Sequence, residues 1–183
     1  LHGKYSLPWV EGECDAVLET EKELIFFELK SKMLTREGRT GNDLVALTDL
    51  GQALVRPQAQ AMERHAALLK AGSLTLRANS GGGKINLDGR EVLKVSITRG
   101  DLGSLHDRQF LSQFLRAGSI ANFDAIHPKD QNKLKDLKVW FGRLRSAAHS
   151  ANEADFQSTF PYSRSWSLSV FQLLLILEHT SDN

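Results

Sequence analysis

The sequence predicts an α/β domain with a helical C-terminal extension, on three observations. Two short runs of β-favouring residues lie either side of a charged tripeptide near the N-terminus. A long stretch with helical periodicity and then a further strand-like run follow them. Beyond Gly100 the spacing of apolar residues turns helical throughout. Hydrophobic period is the main signal for such assignments, two for a strand and 3.6 for a helix.

The first elements are strands over 14–20 and 24–30, joined by Glu21-Lys22-Glu23 as a hairpin with a short loop. Asp15, Val17 and Glu19 alternate with Ala16 and Leu18, whereas Leu24-Ile25-Phe26-Phe27 is continuously apolar. The second strand is therefore expected at the centre of the sheet, buried on both faces. A loop rich in Arg, Gly and Thr over 31–41 leads to Asn42 or Asp43, either of which suits a helix N-cap. The helix is predicted to reach about residue 70, with Leu47, Leu50, Leu54, Met62 and Leu69 on one stripe and Gly72 as its stop. Pro57 must kink or restart it, because proline lacks the N–H that the helix needs. Turn signals at 80–83 and Asp88-Gly89 flank short strand-like pieces, and 91–98 reads as a strand. Helices are expected over 107–117, 129–149 and 165–178, with loops around 123–128 and 150–163. This divides the chain into a core over 1–100 and a helical extension over 101–183 packed on it.

Length and composition narrow the class without naming a function. A chain of 183 residues with 41% hydrophobic and 25% charged residues can bury a core of its own, and neither disorder nor a fibrous class is favoured. The apolar run Leu173-Leu174-Leu175-Ile176-Leu177 is far short of the roughly 20 residues that span a bilayer, so no membrane segment is expected. The single cysteine, Cys14, cannot form an internal bridge and predicts a reducing, cytoplasmic setting. A start at Leu1 with no basic-then-apolar leader reads as a piece of a larger parent chain. The net charge of +1 supplies no global field for nucleic acid, so such binding must come from local cations.

Chemistry concentrates at the hairpin. Asp15 begins one strand while Glu28 and Lys30, two apart, leave the same face of its neighbour, so three charges converge. Charges on a central strand cost several kcal/mol unless they are paired with each other, a metal or a substrate. Two carboxylates with the carbonyl of Leu29 make a hard oxygen site for Mg2+ or Mn2+, and a lysine beside them can orient water and neutralise charge at phosphorus. Solvated strand-end charges, paired across the hairpin with Glu19 or Lys22, are the alternative on spacing alone. Glu13 shares Asp15's face, as an extra acid or as a solvated charge, and Cys14 points the other way into the core. Gln58 falls within the apolar stripe of the long helix, where a buried amide needs a partner, in the site or on nearby backbone.

The run Glu13-Cys14-Asp15-Ala16-Val17-Leu18 followed by Ile25-Phe26-Phe27-Glu28-Leu29-Lys30 resembles the signature of the PD-(D/E)XK nuclease superfamily. The resemblance covers roughly residues 4–100 and implies a restriction-endonuclease-like αβββαβ core, its first helix absent or reduced here. It implies Mg2+-dependent hydrolysis of DNA, by endonuclease action, of the kind found in bacterial DNA processing and phage defence. It assigns metal to Asp15, Glu28 and the Leu29 carbonyl, the attacking water to Lys30, and orientation of Lys30 or a phosphate to Gln58. A nucleic-acid-binding or assembly module that kept the fold without turnover, and an interaction domain using the C-terminal helix, stand as alternatives.

Other signals are weaker. Gly81-Gly82-Gly83-Lys84-Ile85 lacks the upstream glycine and the Ser or Thr of a phosphate loop, and a hairpin turn is expected. The six histidines show no paired ligand spacing, so no zinc site is expected. Lys135, Lys138 and Arg145 gather on one helix face, a phosphate track or a solvated surface, while Lys32, Arg36 and Arg39 follow the proposed site directly.

Overall fold

The computed structural model of the chain describes residues 1–153 and 162–180. It is a mixed α/β structure whose centre is a four-stranded mixed sheet, order β3-β4-β7-β8, formed by Ala16–Glu19, Glu23–Lys30, Glu91–Thr98 and Ser165–Ser169. The predicted hairpin pairs β3 and β4 antiparallel, and β4 then pairs parallel with β7, and β7 with β8. β4 is thus internal, as its apolar run implies.

Parallel neighbours need long crossovers. The one between β4 and β7 holds α1 (Arg36–Arg39), α2 (Asp43–Leu50), α3 (Arg56–Ala71) and a hairpin of β5 (Ser73–Leu76) with β6 (Gly83–Asn86). The Gly81–Gly83 stretch therefore is a hairpin connection. Asn42 caps α2 by accepting from the Val45 N–H at 3.1 Å, and Gly72 ends α3 at φ 73°, a left-handed conformation that glycine adopts without steric cost. Between α2 and α3 the predicted continuous helix widens into a π turn over Gly51–Val55, directly ahead of Pro57. That is the restart expected of a residue with no N–H to donate. Leu54 and Met62 are buried, but Leu69 is exposed because the last turn of α3 brings Leu68 inward instead.

From β7 to β8 the chain passes through α4 (Arg108–Ile120), capped by Asp107 onto the Phe110 N–H, and α5 (Lys135–Ser150). The first part of the predicted helix over 129–149 is a 3-10 segment, Pro128–Leu134. Of the loop predicted over 150–163, residues 154–161 lie outside the described residues.

Two expectations need correction. The segment 165–178 is not one helix: Ser165–Ser169 is β8, and α6 (Val170–Thr180) follows it. Ser-Trp-Ser-Leu-Ser alternates with period two, a strand signal that the apolar run beyond it obscures. At the N-terminus a second hairpin, β1 (Gly3–Leu7) with β2 (Val10–Cys14), precedes β3, so the first predicted strand is split at Asp15.

The two faces of the sheet differ. Helix α3 covers the inner face, contacting β4, β7 and α5. There Leu24, Phe26 and Val92 form one core with Leu68 and the β1–β2 and β5–β6 hairpins, while Leu54, Met62, Leu115, Leu137, Phe141 and Leu144 form another among the helices. On the outer face three register rows are apolar, Leu18–Ile25–Leu93, Ala16–Phe27–Val95–Trp166 and Leu29–Ile97–Leu168, and a fourth, Glu23–Glu91 at the start of β4 and β7, is charged. None of these residues belongs to either core. Among the described residues no helix is long and apolar enough to cross a membrane.

Candidate functional site

Toward the C-terminal ends of β4 and β7 the inner face turns from apolar to polar. Glu28, Lys94, Ser96 and Thr98 are all essentially inaccessible, and so are Ser165, Ser167 and Ser169 of β8. The rows explain the grouping: Glu28 stands opposite Ser96, which stands opposite Ser167, and all three face α3. In open sheets the crevice beyond the carboxyl ends of parallel strands is the usual place for a ligand.

The three predicted charges are brought together here. Lys30 Nζ donates to Glu28 Oε2 at 3.0 Å and lies 3.7 Å from Asp15 Oδ2, so both carboxylates sit around one ammonium group. Asp15 occupies the break between β2 and β3, opposite the end of β4, and its Oδ2 accepts the Leu29 N–H at 2.8 Å. That bond holds the acid against the strand carrying the other two charges. The Asp15 side chain is 31% exposed, while that of Glu28 is 1% exposed, so the pair spans from solvent to interior. Glu13 is exposed and takes part through its main-chain carbonyl, and Cys14 is buried, its thiol raised to about 11 mainly by burial.

Arg64 of α3 is the site residue that the sequence reading missed. Its Nη2 forms an ion pair with Glu28 Oε1, and its Nε donates to the Glu13 carbonyl at 2.6 Å. The signal was present in the spacing: Ala61, Arg64 and Leu68 form an i, i+3, i+7 row whose other members are buried. Burial pushes the Glu28 carboxyl above its ordinary value, although the Arg64 and Lys30 charges act to lower it. Two carboxylates and two cations leave this cluster neutral.

Gln58 is buried, as its place on the stripe implies, but its amide turns away from Lys30. Nε2 donates to the Trp166 carbonyl at 2.8 Å and to Ser96 Oγ at 3.3 Å, tying α3 to β7 and β8 one strand beyond Glu28. It thus fixes the strand behind the acid. The structure shows no hydrogen bond between Gln58 and Lys30; Gln58 Oε1 is buried and accepts none among the described residues.

A second buried cluster adjoins the first. Lys94 Nζ donates to both oxygens of Glu153, at 2.6 and 2.8 Å, and His65 Nδ1 lies 2.9 Å from Glu153 Oε1. Burial lowers the Lys94 ammonium, while His65 and Lys94 overcome burial to hold Glu153 down at about 2. Farther along β7, Thr98 and Ser167 flank His106, which burial lowers.

The flanking cations are unequal. Lys32 pairs with Asp49 at 2.7 Å, whereas Arg36 and Arg39, beyond β4, and Arg99, at the end of β7, are exposed. Lys138 on α5 pairs with Asp124 at 2.8 Å.

As a donor set for a divalent ion, the cluster supplies hard oxygens from Asp15, Glu28 and the Leu29 carbonyl. Glu28 Oε1 is paired with Arg64 and Oε2 with Lys30, both exchangeable for a cation of higher charge, and Asp15 is open to solvent. Magnesium commonly takes one or two carboxylates and keeps several waters, so these residues fit it. Among the described residues no group of three or more His, Cys, Asp or Glu side chains is placed to hold a metal, so the main chain and water would complete the shell.

The fold and cluster define an α/β protein with a buried acid, a half-open acid and a lysine at the end of its central strand. No family model, curated protein or solved structure matches the chain.

Proposed function

We propose that this chain is a metal-dependent nuclease of the PD-(D/E)XK kind, with a restriction-endonuclease-like core, that hydrolyses DNA phosphodiesters. The observation that carries this reading is the convergence of Asp15 and Glu28, from neighbouring segments, on Lys30 Nζ at the C-terminal end of β4. Asp15, Glu28 and the Leu29 carbonyl would hold Mg2+ or Mn2+, which when bound would activate a water and stabilise the leaving oxygen. Lys30 holds its ammonium at the mouth of the site, where it can position that water and offset charge on the phosphoryl oxygens. Arg64 anchors Glu28 from behind, and Asp15 is kept in place by the Leu29 N–H. Arg36, Arg39 and Arg99 offer exposed charge to a phosphate backbone on the segments leaving β4 and β7.

Neutrality of the four-charge cluster favours a second reading, a nucleic-acid-binding module with the same architecture and no turnover. Digestion of plasmid and linear DNA with and without Mg2+ separates the two. The nuclease reading expects Mg2+-dependent cleavage that Glu28→Gln abolishes in a folded protein and that Lys30→Ala lowers by at least about 100-fold with DNA affinity retained. Cleavage by the wild type that persists in Lys30→Ala would overturn the mechanism. DNA binding without cleavage in any divalent ion would establish the module instead.

A further inference from the structure

The rows around Leu18 and Leu29 on the outer face of the sheet and helix α6 are both apolar and both open, whereas Val95 and Ile97 of β7 on the same face are buried. A sheet built largely from parallel strands is normally covered on both faces, and one that meets water carries polar residues there. Three of the four rows of this outer face carry none. Leu18 at 51% and Leu29 at 55% exposure mark its open side, on β3 and β4.

Helix α6 touches β8 and β7, yet only Gln172 and Leu173 are half-buried on it. Phe171 is 69% exposed, and Leu174, Leu175, Ile176 and Leu177 are each about half exposed or more. No charged residue occurs from Val170 to Leu177. A helix that is apolar all round is one that its partners bury on more than one side.

Magnitudes point to the kind of cover. At on the order of 200 Å² for a fully exposed large residue, the exposed apolar residues of the outer face and α6 together present roughly 900 Å². The largest apolar patch of an ordinary monomer is about 300–600 Å², and a standard interface buries about 800 Å² on each partner. The shapes also agree. Eleven helical residues extend about 16 Å, and four strands span about 14 Å across a sheet. The charges of the sheet's outer face lie off these three rows, on Glu23 and Glu91 at the start of β4 and β7, or over Trp166 on β8, where Arg108 stacks, so the rows around Leu18 and Leu29 and the uncharged run of α6 suit each other.

We infer that two copies of this chain associate about a two-fold axis, α6 of each lying across the open β3–β4 side of the other's sheet. Such an interface is isologous: one operation covers both apolar surfaces of both molecules. The inference is independent of the chemistry proposed for the inner face, since it concerns the opposite side of the sheet.

Sedimentation velocity on the whole chain, from about 1 to 100 μM, tests it, with Leu18→Glu and Leu175→Glu as variants. Both positions are already exposed, so circular dichroism should show native folding, and both variants should sediment as monomers where the wild type is a dimer. In a second measurement, Leu18→Cys protein is mixed with Leu175→Cys protein and treated with a short bis-maleimide. Cys14 is buried and its thiol is held protonated, so it does not compete. Cross-linked dimer should form in the mixture and not in either variant alone. A wild type that stays monomeric at 100 μM overturns the inference, as does a dimer that survives both charges or a mixture that does not cross-link. Monomers that co-sediment with lipid vesicles through α6 would also overturn it, assigning the helix to a membrane surface.

Discussion

Replacing Arg64 with methionine tests whether Glu28 is held as a buried charge. Methionine keeps most of the unbranched stem and its packing but removes the guanidinium. Glu28 would then retain Lys30 alone, inside a site where its side chain is 1% exposed. Removing one partner of a buried pair costs about 3–5 kcal/mol, against a total stability of about 5–15 kcal/mol for a domain. Loss of the Nε bond to the Glu13 carbonyl adds about 1 kcal/mol. For a chain of this length each kcal/mol moves the melting temperature by about 2–4 °C, so Arg64→Met should melt roughly 8–24 °C lower in a calorimetric scan.

The pH dependence identifies the cause. Glu28's carboxyl is raised in the folded protein, so its contribution to stability is most favourable below its ordinary value of 4.5 and is lost as pH rises through the folded value. Without Arg64, burial acts with less opposition and raises it further. The deficit of Arg64→Met should accordingly be smallest near pH 4 and grow toward pH 7. Adding Glu28→Gln should recover most of it by leaving no buried anion, apart from the share due to Glu13. An unchanged melting temperature, or a deficit that neither varies with pH nor responds to Glu28→Gln, would refute the assignment of Glu28 as a charge held by Arg64.

Further outcomes follow from the neighbouring groups. Glu153→Gln removes the counter-ion of the fully buried Lys94 and should cost about 3–5 kcal/mol by urea denaturation. Because Glu153 is depressed to about 2, its contribution is present above 4.5 and lost as pH falls toward 2, so the variant should show a shallower acid transition than the wild type. Gln58→Ala should destabilise by about 1–3 kcal/mol, read by thermal unfolding, since Ser96 Oγ loses the amide donor and the Trp166 carbonyl is left with Ser96 Oγ. In single-turnover cleavage the losses from Gln58→Ala and Lys30→Ala should be nearly additive, because no contact joins them; strong non-additivity would restore Gln58 as the residue that orients Lys30.

By itself the sequence determined what depends on short-range pattern. The β3–β4 hairpin, the strand at Glu91–Thr98, the cap at Asn42, the stop at Gly72 and the restart at Pro57 follow from period, from side chains that bond their own backbone and from proline's missing donor. Two-residue alternation likewise set Glu28 and Lys30 on one face, and the hairpin set Asp15 beside them. Tertiary structure decided the rest. Arg64 meets Glu28 from 36 positions away in sequence, and Lys94 meets Glu153 from 59, distances over which no local period carries information. Gln58 was legible as a buried amide but not as a partner of Trp166, because β8 itself was hidden ahead of an apolar helix. A polar side chain on a buried face announces that it needs a partner; the packing of elements distant along the chain determines which partner it meets.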